Sequence, residues 1–288
     1  MRLHAGMMAV HHVGLGHNRG LRRHGLQASF LAMNPRCLVI VLSLAFLSGL
    51  VPARAAEMEV PEWALPGSAQ HKQVPPPAGF HRDTVTIAEP IGIFEGQADV
   101  GGPLLPGSAS FEAATGRYTI TSASYNIWYF RDEFRFLWKR VSGDVSLAAD
   151  VEFPQPDGYD DRKAVLVIRQ DLNDDAREIM VALHGAGLIH LAYRSEKAAD
   201  LRESCRIDTP GHKDAARHAR IGIEKRGNSF ALFFSFAGEP MHRVGPPVKL
   251  PFDGPFYVGL GFCSHVPDKA DTAVLSNVVL VEAAGHMR

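Results

Sequence analysis

The stretch SASFEAATGRYTITSASYNIWYFRDEFRFLWKRVSGDVSLAADVEF, which is Ser108–Phe153, decides the fold because its apolar and polar residues alternate. A period of two places the apolar residues of a strand on one face. The turn sequences ATG and SGD separate the runs, and Gly116 and Gly143 can adopt the positive φ of a hairpin turn. The stretch therefore predicts half-buried strands that pair antiparallel with their neighbours. The alternating apolar positions are Tyr118, Ile120, Phe134, Phe136, Trp138, Val145, Leu147, Ala149, Val151 and Phe153.

The same alternation continues along the rest of the chain, which lacks a convincing long helix. A weak helical pattern covers only 196–203. About a dozen strands without a long helix indicate an all-β fold of two packed antiparallel sheets. The predicted strands are 91–94, 110–113, 117–122, 133–140, 144–153, 163–170, 177–184, 187–194, 217–225, 229–237, 255–263 and 272–282.

Residues 1–56 have the features of an export signal. No acidic residue precedes Glu57, and the apolar run Leu38–Leu50 is shorter than the roughly 18–20 residues of a membrane span. Ala53-Arg-Ala55 matches the small-x-small pattern of a signal-peptidase site, and a complete signal peptide could start at Met33. We therefore expect a periplasmic or secreted protein that is cleaved near Ala55 and has no stable membrane span.

The remaining chain divides into a Pro-rich linker or extended arm at 57–89 and a β-sandwich domain at 90–288. Loss of residues 1–56 removes six arginines and no acidic residue, so the formal charge falls from −1 to −7. Nucleic acids and anionic membrane surfaces are held mainly by Lys and Arg. The acidic balance therefore disfavours both as partners and favours a neutral or cationic ligand.

Two cysteines, Cys205 and Cys263, lie outside the predicted signal. In an oxidising compartment they could form a disulfide, and closing this loop would stabilise the fold by about 4 kcal/mol in the chain-entropy model. They could equally be two buried thiols on strands that do not meet. Sequence spacing leaves both readings open, because it does not give the geometry of the pair.

Several short motifs follow one another in an order that resembles a known module. The set resembles the concanavalin A-like β-sandwich found with periplasmic Tol biopolymer-transport-like proteins and in "regulation of enolase" domains. The resemblance covers about 190 residues and implies a jelly roll of two curved sheets whose concave face holds a saccharide in many relatives. It implies no established activity, and the β-propeller of the Tol-like proteins is absent from this sequence. The motifs are Asp99-Val-Gly, Pro106-Gly-Ser108, Tyr118-Thr-Ile120, Asn126-Ile-Trp128, Asp132-Glu-Phe134, Ser142-Gly-Asp144, His184-Gly-Ala-Gly-Leu188, Tyr193-Arg194, Tyr257-Val-Gly-Leu-Gly-Phe-Cys-Ser-His265 and Ser276-Asn277.

The hairpin of strands 177–184 and 187–194 is where the sequence places a candidate binding site. One face of the hairpin is apolar, and the other collects polar residues around Ala182. Arg169, on the neighbouring predicted strand, is expected to join this polar row. A saccharide site needs planar donors and acceptors together with an aromatic surface, which Trp128, Tyr125 or Tyr129 could supply. The predicted ligand-binding residues are Trp128, Arg169, Glu178, His184, His190 and Arg194. The alternative is a solvated sheet face with Trp128 in the core.

Three functions remain open at this stage. The favoured one is carbohydrate binding without catalysis, with a saccharide or a glycosylated envelope component as partner. The second is a glycoside hydrolase or polysaccharide lyase that uses Glu178, His184 and Arg194. For a hydrolase, Asp150 and Glu152 could meet Glu178, although the E-x-D-x-x-E motif of laminarinase-like hydrolases is absent. The third is an envelope module that docks to another protein through a sheet edge or an apolar patch.

The sequence predicts no cofactor and no catalytic metal, but two acidic loops could hold a structural calcium ion. Asp171, Asn173 and Asp175 copy the first three ligand positions of a calcium loop, without its glycine and its closing glutamate. Asp157, Asp160 and Asp161 form the second loop. The alternative is two hydrated turns.

Overall fold

The computed structural model describes residues 60–75, 77, 80–208, 219–236 and 238–287, and seventeen strands lie within these ranges. The strands are β1 (Val85–Ile87), β2 (Gly96–Val100), β3 (Leu105–Glu112), β4 (Arg117–Ala123), β5 (Ile127–Trp128), β6 (Arg131–Asp132), β7 (Phe134–Val141), β8 (Val145–Glu152), β9 (Lys163–Arg169), β10 (Glu178–His184), β11 (Leu188–Arg194), β12 (Arg202–Asp208), β13 (Ala219–Arg226), β14 (Ser229–Phe236), β15 (His242–Lys249), β16 (Phe256–Cys263) and β17 (Asp271–Val281). One turn of 3-10 helix, Glu62–Ala64, precedes them.

The strands form two large antiparallel sheets, as the sequence predicts. Sheet A has eight strands in the order β1-β2-β7-β16-β9-β10-β11-β12, and sheet B has seven in the order β15-β14-β13-β8-β17-β4-β3. The short strands β5 and β6 pair only with each other. The architecture is an all-β jelly-roll sandwich.

The main hydrophobic core lies between the inner faces of the two sheets. Leu166, Val181 and Leu260 contribute to it from sheet A, and Ile120 and Leu147 contribute from sheet B. All five are fully buried. Their burial follows from the period-two alternation, which turns every second side chain of a strand towards the opposite sheet.

The side chains of the β10–β11 hairpin alternate between the two faces of sheet A as predicted. Its inward row lies in the main core and consists of Ile179, Val181, Leu183, Ile189, Leu191 and Tyr193. The opposite row faces outward from sheet A, and there Ala182 pairs with His190 across the hairpin. Gly187, at φ 91°, forms the turn.

The outer face of sheet A is also buried over much of its area, which the sequence did not predict. A second apolar cluster there includes Val167, Met180 and Ala192 from the sheet. Ile127 of β5 and Leu201 pack onto the same cluster. Segments without strand periodicity therefore cover this face, so no single groove runs along the hairpin.

The chain ahead of the predicted sandwich packs against it, as an arm rather than a separate linker. Ala64 and Phe80 form a small buried cluster with Tyr125, and Trp63 contacts both aromatic rings. Further along, β1 pairs antiparallel with β2, opposite Asp99 and Gln97. The predicted boundary at residue 90 therefore cuts through sheet A.

Two predicted elements are wrong, and the strands β1, β2, β5, β6, β12 and β15 were not predicted. The weak helix at 196–203 is a turn that leads into β12, and residues 91–94 form a tight bend with one bridge instead of a strand. The sequence pattern also missed β15, whose Pro246 and Pro247 argue against a strand. β15 lies at the edge of sheet B, and its prolines fall in a β-bulge between Val244 and Val248, where the pairing with β14 skips them.

Of the two readings that the sequence left open for Cys205 and Cys263, the structure has the one with two thiols on strands that do not meet. Cys263 is on β16 and Cys205 is on β12, so β9, β10 and β11 lie between them. Four strand spacings amount to roughly 19 Å, whereas the Cα atoms of a disulfide lie within about 7 Å of each other. Cys263 packs on the outer side of sheet A and Cys205 on the core side, so both remain thiols.

Within the described residues, no helix is long and apolar enough to cross a membrane. The predicted signal at 1–56 lies outside the described residues.

Candidate functional site

The outward polar row of sheet A is divided between the two ends of its strands. At one end Glu178 pairs with Arg169 of β9 and with Arg194 of β11. At the other end His184 pairs with Lys163 of β9. The two ends are six residues apart along β10, which corresponds to roughly 20 Å. Buried apolar residues separate them.

The first end is a closed network of charges. Asp132 of β6 accepts hydrogen bonds from Arg169 at 2.7 Å and from both Nη atoms of Arg194 at 2.7 and 2.8 Å. Glu178 accepts a further bond from Arg169 and lies 3.5 Å from Arg194. The side chains of all four residues are fully buried.

Backbone carbonyls complete this network. Arg194 donates from Nε to Ala199 and from its Nη atoms to Ala176 and Tyr129. Arg169 donates to the carbonyl of Asn173 at 2.5 Å. The two guanidinium groups therefore fasten three covering segments to the outer face of sheet A.

Arg169, Glu178 and Arg194 consequently do not line an opening, in contrast to the sequence-based expectation. Their charges are satisfied by one another and by Asp132, and none of the four is accessible. Glu178 and Arg194 also lie at the opposite end of the strands from His184. The proposed catalytic set of Glu178, His184 and Arg194 is therefore not assembled at one place.

Burial and ion pairing compete in setting the charge of the two acids. Burial alone would raise the pKa of Asp132, but the attraction of Arg194 and Arg169 outweighs it and lowers that pKa below its ordinary value. Glu178 is approached less closely by Arg194, and burial raises its pKa to about 7. Asp132 is therefore the anion on which the network is centred.

The second end of the row opens into a cavity of about 230 Å³. Two of the predicted ligand-binding histidines and the predicted tryptophan line it, together with residues from β5, β12, the arm and two loops. The lining residues are Gln73, Asn126, Trp128, Tyr129, Asp161, Lys163, His184, Leu188, His190, Glu203 and His265.

An aromatic wall forms one side of the cavity. The Trp128 ring stacks on the His190 ring with centroids 5.6 Å apart and an interplanar angle of 10°. Tyr129 follows Trp128 with φ 58°, and His265 on another wall has φ 65°. Positive φ is uncommon for residues other than glycine and tends to occur at functional sites. Trp128 is partly exposed, so it is neither a core residue nor free in solvent.

The two histidines contact each other and one carboxylate each. His184 Nε2 and His190 Nε2 are 3.4 Å apart. His190 Nδ1 lies 3.1 Å from Glu203 Oε2, and His184 Nδ1 lies 3.6 Å from Asp161 Oδ1 without a hydrogen-bond partner. Burial lowers the pKa of His184 to about 4 and lowers the pKa of His190 well below its ordinary value. Both rings are therefore neutral at pH 7.

Charged and amide groups complete the lining. Lys163 is buried and donates from Nζ to Asn126 Oδ1 at 2.7 Å. The contact of Asp161 with His184, supported by the nearby His265 and Lys163, lowers the pKa of Asp161 to about 2. The cavity thus offers an ammonium group and carboxylates within a small volume.

His265 has a larger role than the turn closure that the sequence suggested. Its ring stacks on Tyr159 with centroids 5.0 Å apart, and on its other side Tyr125 lies parallel at 6.2 Å. Its Nε2 is 3.2 Å from Gln73 Nε2 of the arm. Tyr125 itself is buried and donates its hydroxyl to the Val74 carbonyl, so it supports the wall but does not line the cavity.

Asp150 and Glu152 do not meet Glu178, because they are on β8 in sheet B. Asp150 pairs with Arg220, and Glu152 pairs with Arg117. The three carboxylates of the predicted hydrolase are therefore on different sheets.

The predicted calcium loops have other contacts. Asp171 accepts from the backbone N–H of Asn173 at 2.8 Å, and Asp175 pairs with Lys197. Asp161 belongs to the cavity. Among the residues that the structure describes, no group of three or more His, Cys, Asp or Glu side chains is arranged to hold a metal ion.

Sequence reasoning missed Lys163, Glu203 and Gln73. Lys163 is the first residue of β9 and lies on the same outward face as Arg169. The alternation of this strand could therefore have identified it from the sequence. Glu203 fell within the wrongly predicted helix, and Gln73 belongs to the arm, where no periodicity indicates a contact.

No protein-family model matches the chain, and no curated protein matches it significantly. Solved structures with a similar fold include a functionally unknown protein from Saccharomyces cerevisiae, at 17% identity and TM-score 0.48, covering 62% of this chain and 93% of that chain. The carbohydrate-binding module CBM66 from Bacillus subtilis has 15% identity and TM-score 0.42, covering 61% and 91%. A glycoside hydrolase family 16 endo-glucanase from Bacteroides ovatus has 10% identity and TM-score 0.41, covering 69% and 94%.

Substitution of Arg194 by Met should destabilise the protein by about 3–5 kcal/mol, because it leaves the buried charges of Asp132 and Glu178 undercompensated. Denaturant unfolding measures this loss. The matched control is Arg117→Met, which removes an exposed ion pair with Glu152 and should cost less than about 1 kcal/mol. Similar losses in the two variants would contradict a central role for the network.

The contribution of His184 to the stability of the protein should fall as the pH decreases from about 6.5 to 4. In this window the unfolded chain protonates His184 and the folded chain does not, so the unfolded state binds more protons and is favoured by acid. In the His184→Gln variant, the free energy of unfolding should fall less steeply with decreasing pH, by up to about 1.4 kcal/mol per pH unit. Unfolding free energies of both proteins at several pH values in the presence of a chelator test this, and parallel curves would refute it. His190, Lys163 and Asp161 face His184 and are unchanged in the comparison.

Proposed function

We propose that this protein is exported and binds a saccharide, without altering it, in the cavity beside Trp128. The observation that supports this most is the combination of the aromatic wall of Trp128 and Tyr129 with planar polar side chains in one partly open cavity. A sugar ring has an apolar C–H face and a rim of hydroxyl groups. It therefore needs both kinds of surface at once.

The size of the cavity favours a small ligand. Its volume of about 230 Å³ lies below the roughly 300–1,000 Å³ of sites that enclose drug-sized molecules. One sugar unit, at the end of a glycan or alone, suits this volume better than a long stretch of polysaccharide.

The polar groups suit hydroxyl recognition. Lys163 donates only, while Asp161 and Glu203 accept, so hydroxyl groups can be bound in both of their hydrogen-bonding roles.

A hydrolase remains the alternative because two carboxylates, Asp161 and Glu203, line the same cavity. Glycoside hydrolysis requires an acid and a base or nucleophile on either side of the bond. The low pKa of Asp161 suits a base or nucleophile and not the general acid that hydrolysis also requires. Binding alone is therefore the preferred function.

Trp128→Ala should weaken binding of the recognised glycan at least about tenfold, because loss of one aromatic contact costs about 1.4 kcal/mol. An array of immobilised glycans probed with the full chain identifies the ligand, and calorimetry with its terminal monosaccharide gives the affinity.

The matched control is Trp138→Ala, because Trp138 packs against Tyr257 away from the cavity. This variant should bind as the wild type does. New reducing ends or unsaturated products after long incubation would show that the protein is an enzyme, which contradicts binding without alteration. No glycan response, together with co-purification of an envelope protein, would favour the docking function.

Export has a separate test. When the full chain is expressed in a bacterial host, the protein recovered outside the cytoplasm should begin near Ala55, as N-terminal sequencing would show. Recovery of the intact chain in the cytoplasm would overturn this part of the proposal and leave the binding function untouched.

A further inference from the structure

The His184–His190 pair has a property that saccharide binding does not explain. The Nε2 atoms lie 3.4 Å apart, closer than the ring centroids at 5.0 Å, so the two Nε2 edges face each other. The Nδ1 atom of each ring is directed to a carboxylate, Glu203 for His190 and Asp161 for His184. Both rings are at least nine-tenths buried and line the cavity.

Neither tautomer of the two neutral rings satisfies all four ring nitrogens. A carboxylate accepts only, so each Nδ1 atom that faces one is best protonated. A neutral imidazole with a proton on Nδ1 has a lone pair on Nε2. If both rings adopt this form, two lone pairs face each other across 3.4 Å. If His184 carries its proton on Nε2 instead, it can donate to His190 Nε2, but its Nδ1 lone pair then faces the Asp161 carboxylate at 3.6 Å.

A metal ion between the two Nε2 atoms removes this conflict. Two imidazole nitrogens bound to one tetrahedral ion at about 2.0–2.1 Å lie roughly 3.3–3.4 Å from each other. The separation of 3.4 Å in the protein matches this value. We propose that His184 and His190 bind a divalent late transition-metal ion, of the Zn²⁺, Cu²⁺ or Ni²⁺ class, through their Nε2 atoms.

The carboxylates have the positions of orienting groups in such a site. Histidines that bind metals usually donate their other ring N–H to a carboxylate or carbonyl, which fixes the tautomer and the ring direction. Glu203 is within hydrogen-bond distance of His190 Nδ1, Asp161 lies 3.6 Å from His184 Nδ1, and Trp128 stacked on His190 restricts that ring further.

The site has two protein ligands, since the described residues form no cluster of three or more metal-binding side chains around one point. The remaining coordination positions face the cavity and are open to water or to a ligand. Imidazole nitrogen favours late transition metals over Ca²⁺ and Mg²⁺, which prefer oxygen. The ion is therefore of a different class from the calcium that the acidic loops suggested.

Two positive and two negative side chains surround the histidine pair. The positive ones are Lys163 and Arg206, and the negative ones are Asp161 and Glu203. The carboxylates are next to the two rings, whereas the Lys163 ammonium group is bonded to Asn126. An open site with two neutral ligands is expected to release its ion readily to a chelator.

The experiment is a titration of the chelator-treated full chain with Zn²⁺, Ni²⁺ and Cu²⁺, followed by calorimetry and by tryptophan fluorescence. The chain has fourteen histidines, so calorimetry alone does not locate the ion. Quenching by Cu²⁺ does locate it, because Trp128 stacks on one of the two ligands. We expect one site that binds these ions, does not bind Ca²⁺ or Mg²⁺, and quenches Trp128.

Variants separate this site from other histidines. His190→Gln should abolish the quenching and remove one equivalent of binding, whereas His242→Gln, at an exposed position on β15, should retain both. Unchanged quenching and stoichiometry in His190→Gln, or no binding of any of the three ions to the wild type, would overturn the proposal.

If His190→Gln fails to fold, Glu203→Gln decides, because that side chain is partly exposed. It should weaken the site by about 10–100-fold, as loss of an orienting carboxylate typically does. An unchanged affinity in this variant would count against the site. No saccharide is present in any of these measurements, so their outcome is independent of the proposed binding function.

Discussion

The bond between Asp132 and the two arginines of sheet A is the interaction on which the rest of the outer face depends. A buried ion pair contributes little net stability, because desolvation offsets most of the attraction, but it allows few alternative arrangements. Arg169 and Arg194 each have partners on covering segments as well as on the sheet. They therefore determine where those segments lie, and they close one end of the sheet to ligands.

The same network positions the open end. Asp132 is four residues after Trp128, and Arg194 donates both to Asp132 and to the carbonyl of Tyr129 at 3.2 Å. That bond, with a second one from the Leu201 N–H at 2.8 Å, holds Tyr129 at its positive φ. The aromatic wall of the cavity is thus fixed by charges that never contact a ligand. Residues that the sequence assigned to ligand binding act instead as its support.

Local patterns predicted the sheets and the parity of their strands, because a period of two is a property of the sequence itself. The inward row of Ile179, Val181 and Leu183 and the outward position of His184 both follow from it. Which part of the outward row stays open could not be predicted, because it depends on segments without periodicity such as 129–132 and 195–201. The edge strand β15 was missed for a related reason: its prolines are tolerated because they lie in a β-bulge at the edge of sheet B.

The two ends of the outward row differ in whether their polar groups reach a cavity, and this difference separates the supporting network from the candidate site. Around Asp132 each carboxylate is paired with an arginine, and although Arg169 Nε and Glu178 Oε1 have no hydrogen-bond partner, all four side chains are fully buried and closed to a ligand. At the other end, His184 Nδ1 is also buried without a hydrogen-bond partner, but its ring lines the cavity beside His190. Buried polar groups are almost always paired in folded proteins. A group that the fold leaves unpaired, beside a cavity that a small molecule or ion can enter, is therefore where binding is expected.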